Sequence, residues 1–106
     1  MEVKIKATNL ELTEAIKDYV QEKMDMLDKY LGDTKVISAS FEVELTTNHH
    51  QKGDIFRAEA NITLPKDLVR VEKSEKDLYK AIDKVKDHAQ EVITKHKDKK
   101  ITQTRK

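Results

Sequence analysis

The chain has no cysteine, so neither a disulfide framework nor a thiolate metal site is available to it. Its two glycines are too few for a loop that cradles phosphate through close backbone approach. No apolar run comes near the roughly 20 residues that a bilayer-spanning helix requires. No secretory leader pattern follows Met1 either, so the expected location is the cytosol. There is no GxSxG nucleophile turn and no His/Cys cluster at metal spacing, which predicts a protein without enzymatic activity, cofactor or metal. His49 and His50 are adjacent, and in an extended segment adjacent side chains point apart, so they predict a solvated loop rather than a metal pair. His88 and His96 have no histidine or cysteine at helical spacing and are expected at the surface or its boundary.

What the chain has in abundance is charge. Charged residues make up 39% and hydrophobic residues 37%, a balance that permits folding around a thin core under a crowded polar surface. A length of 106 residues suits one domain. The formal net charge is only +1, but it is unevenly placed. Lys97 to Lys106 carries five basic residues and one acid; removing it leaves 16 basic against 19 acidic residues, a body of −3. Any polyanionic partner must therefore meet a local patch.

Two periods organise the body. Alternation of apolar and polar residues predicts strands over Glu2–Ala7, Ile37–Leu45 and Phe56–Leu64, the last ended by Pro65, with a short fourth strand over Leu68–Glu72. Thr13 is placed to cap a helix whose apolar stripe, Ile16, Val20, Met24, Leu27 and Leu31, ends at Gly32. Ser74 and Asp77 resemble a capping box for a second helix, from about Glu75 to Lys97, with Leu78, Ile82, Val85, Ala89, Val92 and Ile93 as its stripe. The order is β-α-β-β-β-α. Each strand has one apolar face, so both helices are expected on the same side of a four-stranded sheet, an α+β fold similar to a double-stranded-RNA-binding domain with a strand added in front. Residues 1–97 form the expected domain, and residues 98–106 lack an apolar period and predict a basic tail without fixed structure.

The surfaces differ in charge. The open sheet face carries Lys4, Lys6, Ser38, Ser40, Glu42, Glu44, Arg57, Glu59, Asn61, Thr63, Arg70 and Glu72, with no aromatic on which a base could stack. Such a mixed set suits plain solvation first, and Arg57 and Arg70 are its candidate phosphate contacts. On the second helix Lys76, Lys80, Lys84 and His88 follow at four-residue steps, and Lys95 returns to the same side. This ridge suits either a phosphate backbone or plain solvation, and Asp87 and Glu91 interrupt it. The first helix is acidic outside, through Glu14, Asp18, Glu22, Asp25 and Asp28, which suits a basic protein partner instead. Lys23 falls within its apolar face, as a snorkelling stem or as a placed cation.

Residues Asn9 to Val20 (NLELTEAIKDYV), Leu68 to Glu72 (LVRVE) and Asp77 to Asp83 (DLYKAID), in that order and spacing, resemble the ribosome hibernation promoting factor family, which includes the ribosome-associated translation inhibitors. The likeness covers nearly the whole chain. It implies a cytoplasmic protein that binds the 30S subunit, alone or within 70S ribosomes, at the decoding region of 16S rRNA. There it would block tRNA and mRNA and repress translation in stress or stationary phase. It also implies rRNA contacts at Lys23, Lys29, Arg70 and the cations of the second helix, with Tyr79, Ala81 and Ile82 as packing residues. His88 and Glu91 depart from that pattern, standing where the family often has lysine and arginine. The chain resembles a short form, or a shortened long form, without the C-terminal dimerisation domain.

Overall fold

The computed structural model describes residues 1–46 and 53–104, with side chains through His96. His49 and His50 lie outside the described residues. The elements are β1 (Lys4–Thr8), α1 (Glu14–Asp25), α2 (Asp28–Leu31), β2 (Ser38–Thr46), β3 (Ile55–Leu64), β4 (Asp67–Glu75) and α3 (Leu78–Thr104). The sheet order is β1-β2-β3-β4. β1 runs parallel to β2, and the other neighbours are antiparallel. A parallel pair cannot be joined by a tight turn, and here the connection is the stretch that carries α1 and α2.

Alternation along the strands sends Ala39, Phe41, Val43, Ala58, Ala60, Ile62, Val69 and Val71 to one buried face. Ile16, Val20, Met24 and Leu27 from the first helical segment, and Ile82, Val85, Ala89 and Ile93 from α3, cover it in one contiguous core. Each large aliphatic side chain buried this way contributes on the order of 1.5–3 kcal/mol. The expected α+β order, with the helices on one face, is what the chain adopts.

The boundaries differ in instructive places. The Thr13 hydroxyl accepts the Ile16 N–H at 3.2 Å, as its capping role requires. The helix that follows is not continuous to Leu31: the Leu27 N–H bonds the Met24 carbonyl at 3.0 Å, an i→i−3 bond that tightens the chain and divides α1 from α2. Ser74 belongs to β4, whose pairing with β3 continues to Phe56↔Glu75, so the expected capping box is corrected. Asp77 caps α3 itself, its carboxylate accepting the N–H groups of Tyr79 at 2.9 Å and Lys80 at 3.3 Å. At the other end α3 is helical through Thr104, past the boundary expected near Lys97.

Candidate nucleic-acid interface

On the open sheet face the register lines up Glu42, Glu59 and Glu72 directly across β2, β3 and β4. Three carboxylates in a row repel one another, and a compensating cation is needed nearby. Arg57, one row away and opposite Glu44, supplies it. Its guanidinium reaches Glu72 at 2.6 Å, Glu59 at 3.0 Å, Glu44 at 3.2 Å and Glu42 at 3.3 Å. Hydrogen bonding to Glu72 outweighs burial and raises the pKa of Arg57 above its ordinary value. Thr8 donates to Glu42 at 2.6 Å, and this bond, helped by Arg57, holds the Glu42 carboxyl below its ordinary range despite burial. Arg57, a candidate phosphate contact by sequence, is a cross-strand tie in the structure, because four carboxylates surround it. Arg70 pairs with Glu59 at 3.0 Å but leaves its side chain 67% exposed, so it keeps donors for a partner.

Along α3 the basic ridge leans over β4. Lys84 pairs with Glu75 at 3.2 Å, and His88 is exposed beside it in a groove also lined by Lys73 and Asp87. Lys95 pairs with Glu91 at 3.0 Å, and that bond holds the Glu91 carboxyl below its ordinary range. Lys76, expected on the second helix, lies before α3 because β4 pairing continues to Glu75; it and Lys80 are exposed and border a groove with Ser74, Glu75 and Asp77, and neither has an ion-pair partner among the described residues. The four-residue step therefore places Lys80, Lys84 and His88 on one helix but hides that two of the five members, Lys84 and Lys95, are already paired with acids.

Between α1 and α3 lies a second cluster. The Lys23 ammonium is 3.2 Å from the Asp83 carboxylate and 5.2 Å from the Tyr19 ring centroid. Tyr19 donates its hydroxyl to Asp83 at 2.5 Å and packs edge-on against Tyr79, with centroids 4.8 Å apart. The hydrogen bond to Asp83 is the main reason that the pKa values of Tyr19 and Lys23 are both raised. Lys23 is thus a placed cation. Lys29 lies over the Tyr30 ring at 5.1 Å and is otherwise exposed. On the acidic side of the first helical segment, Asp25 and Asp28 hold the Met1 amine at 3.0 and 2.7 Å.

Sequence reasoning missed Lys73 and Lys86, and the partner of His96. Lys73 has no place in the helix ridge, and only the continuation of β4 brings it beside His88 and Lys84. Lys86 has a side chain only 13% exposed and donates to Gln90 at 2.7 Å. His96 sits 2.9 Å from Asp67 and ties α3 to the start of β4. Among the described residues no three His, Cys, Asp or Glu side chains gather as a metal site. No described helix is long and apolar enough to cross a membrane.

Residues 3–101 match the family described as Sigma 54 modulation protein / S30EA ribosomal protein. The chain is 32% identical over 93 residues to the ribosome hibernation promotion factor of Lactococcus lactis, a match covering 88% of this chain and 48% of that protein. It is 30% identical over 95 residues to the protein of the same name from Deinococcus radiodurans, covering 90% and 48%. The chain thus spans about half the length of these curated relatives. Among solved structures, the N-terminal domain of Thermus thermophilus Protein Y superposes with a TM-score of 0.77 at 35% identity, over 91% of this chain and 99% of that one. A ribosomal subunit interface protein from Coxiella burnetii, 14% identical, shares the fold with a TM-score of 0.74, over 92% and 99%. The chain belongs to the Sigma 54 modulation protein / S30EA ribosomal protein family.

Proposed function

We propose that this chain is a ribosome-binding hibernation factor domain that occupies the decoding region of the small subunit on 16S rRNA. There it excludes tRNA and mRNA and represses translation in stress or stationary phase. The observation that carries this reading is the 35% identity to the Protein Y N-terminal domain across 99% of that domain's length. A ribosomal partner implies the cytosol, and inhibition by occlusion needs neither a catalytic group nor a cofactor.

In this reading residues 1–97 are the binding unit, and the basic residues after them add phosphate contacts. Lys76 and Lys80 meet phosphate first, because their ammonium groups are exposed and have no carboxylate to leave among the described residues. Arg70, Lys29, Lys84, His88 and Lys95 extend the contact, with Lys84 and Lys95 exchanging a carboxylate for a phosphate. Charge on the rest of the surface supports this choice of side, since the outer residues Glu14, Asp18 and Glu22 of α1 are exposed and would repel RNA. The same acids favour the second reading, a module that docks a basic protein partner without RNA.

Saturating vacant 30S subunits with the protein and measuring tRNA binding tests the occlusion step. The expected result is loss of tRNA binding together with protection of decoding-region nucleotides from chemical modification. Full tRNA binding on saturated subunits rules occlusion out.

A further inference from the structure

Of the five aromatic residues, Tyr79 alone stays substantially exposed, at 40%. It also packs against a second ring. Its ring stands at 88° to that of Tyr19, and its backbone N–H is fixed by the Asp77 cap. A perpendicular neighbour covers part of the ring, and part of its surface stays in solvent. The Tyr19 contact restricts the rotamer freedom that stacking would otherwise take away.

The surroundings of this ring hold both charges, and the one cation placed beside its tyrosine neighbour is the Lys23 ammonium, paired with Asp83. Asp83, one turn along α3, is engaged by the Lys23 ammonium and the Tyr19 hydroxyl. The Asp77 carboxylate is engaged by the N–H groups that it caps. Lys23 reaches α3 from α1, its ammonium 3.2 Å from Asp83 and 5.2 Å from the Tyr19 ring that packs on Tyr79, and it can exchange that carboxylate for a phosphate. An exposed ring with an ammonium group close by matches what an unpaired nucleotide presents, a π-face and a phosphate. Helical duplex RNA does not offer a free base face, and the flat open sheet carries no aromatic ring.

We infer that Tyr79 stacks on an unpaired nucleobase of the small-subunit rRNA, with Lys23 positioned for the adjoining phosphate. This rests on the ribosome-binding reading above and adds to it a single-stranded target.

The test compares the wild type, Tyr79→Phe and Tyr79→Leu for binding to vacant 30S subunits across a salt series. Phenylalanine keeps the π-face and retains binding. Leucine keeps apolar bulk without the ring and weakens binding by about ten-fold or more, with the salt slope unchanged, because no phosphate contact is removed. Leucine binding as tightly as wild type overturns the inference, and so does weaker binding with a reduced slope, which assigns the loss to a displaced cation. Ultraviolet cross-linking of the wild-type protein to 30S subunits is independent of how the variants fold: an RNA adduct on Tyr79 is expected, and adducts confined to other residues contradict it. Failure of the wild type to bind subunits at all sinks the ribosome reading itself, whereas wild-type binding unaffected by leucine sinks the stacking contact alone.

Discussion

The Asp83 carboxylate accepts the Tyr19 hydroxyl at 2.5 Å and lies 3.2 Å from the Lys23 ammonium, so one acid on α3 fixes two side chains of α1. The bond joins helices that are distant in sequence, and it turns a lysine on an otherwise apolar face into an oriented cation. With the Asp83 side chain 41% exposed, solvent screens much of this interaction. Replacing Asp83 by alanine is expected to lower stability by about 1–2 kcal/mol. Urea unfolding of Asp83→Ala, Tyr19→Phe and the double variant measures it; a strictly additive double variant would show that the two residues do not act as a pair.

Arg57 carries a larger share of stability. Removing the guanidinium leaves Glu42, Glu44, Glu59 and Glu72 facing one another, with Glu59 only 8% exposed. Arg57→Met is expected to lower stability by about 2–4 kcal/mol, and lysine should not restore it, because one ammonium cannot span four carboxylates. The same variant, where folded, should keep the wild-type salt slope for ribosome binding. A slope reduced by about one would return Arg57 to the RNA contact.

Acid should find the sheet through Glu42. Its carboxyl is held below the ordinary value by the Thr8 hydroxyl and Arg57. A folded-state pKa below the unfolded one contributes stability that is present above the unfolded value and lost as pH falls through the folded value. The window is therefore below about pH 4.3. Thr8→Val should shrink the loss of stability on going from neutral to acid pH, because it removes the leading cause of the shift. An acid limb identical to that of the wild type would show that this bond does not form in solution.

For Lys23 and Tyr19 the sign is the reverse. Both pKa values are raised, chiefly by Asp83, so their contribution is complete below the unfolded values and is lost as pH rises through the folded ones, above about pH 10. The fall in melting temperature beyond that pH should be shallower in Asp83→Asn than in the wild type.

The cations on and just before α3 separate by pairing. Lys76→Glu with Lys80→Glu should lower the salt slope of ribosome binding by about two while changing stability by less than about 0.5 kcal/mol. An unchanged slope removes both lysines from the interface.

Much of the fold is legible in the sequence because burial is periodic. Phe41 and Val43 alternate with glutamates, and Ile82, Val85 and Ala89 repeat at helical steps, so strand faces and helix stripes follow directly. What is hidden depends on partners far along the chain. β4 extends through Lys73-Ser74-Glu75, which has no apolar alternation, because backbone pairing with β3 holds it. The division of α1 from α2 has no glycine or proline to announce it. At the candidate site, helical spacing finds Lys80 and Lys84 alike, but only the fold shows Glu75 beside Lys84. Arg57 and Arg70 look equivalent on an alternating face, yet cross-strand register surrounds one with acids and leaves the other exposed.

The most direct test of the central claim is co-sedimentation of the protein with vacant 70S ribosomes and with separated 30S and 50S subunits over a salt series. The account predicts pelleting with 70S and 30S that weakens steeply as salt rises. Protein remaining in the supernatant with 30S subunits at low salt would contradict it and favour a basic protein partner on the acidic face of α1.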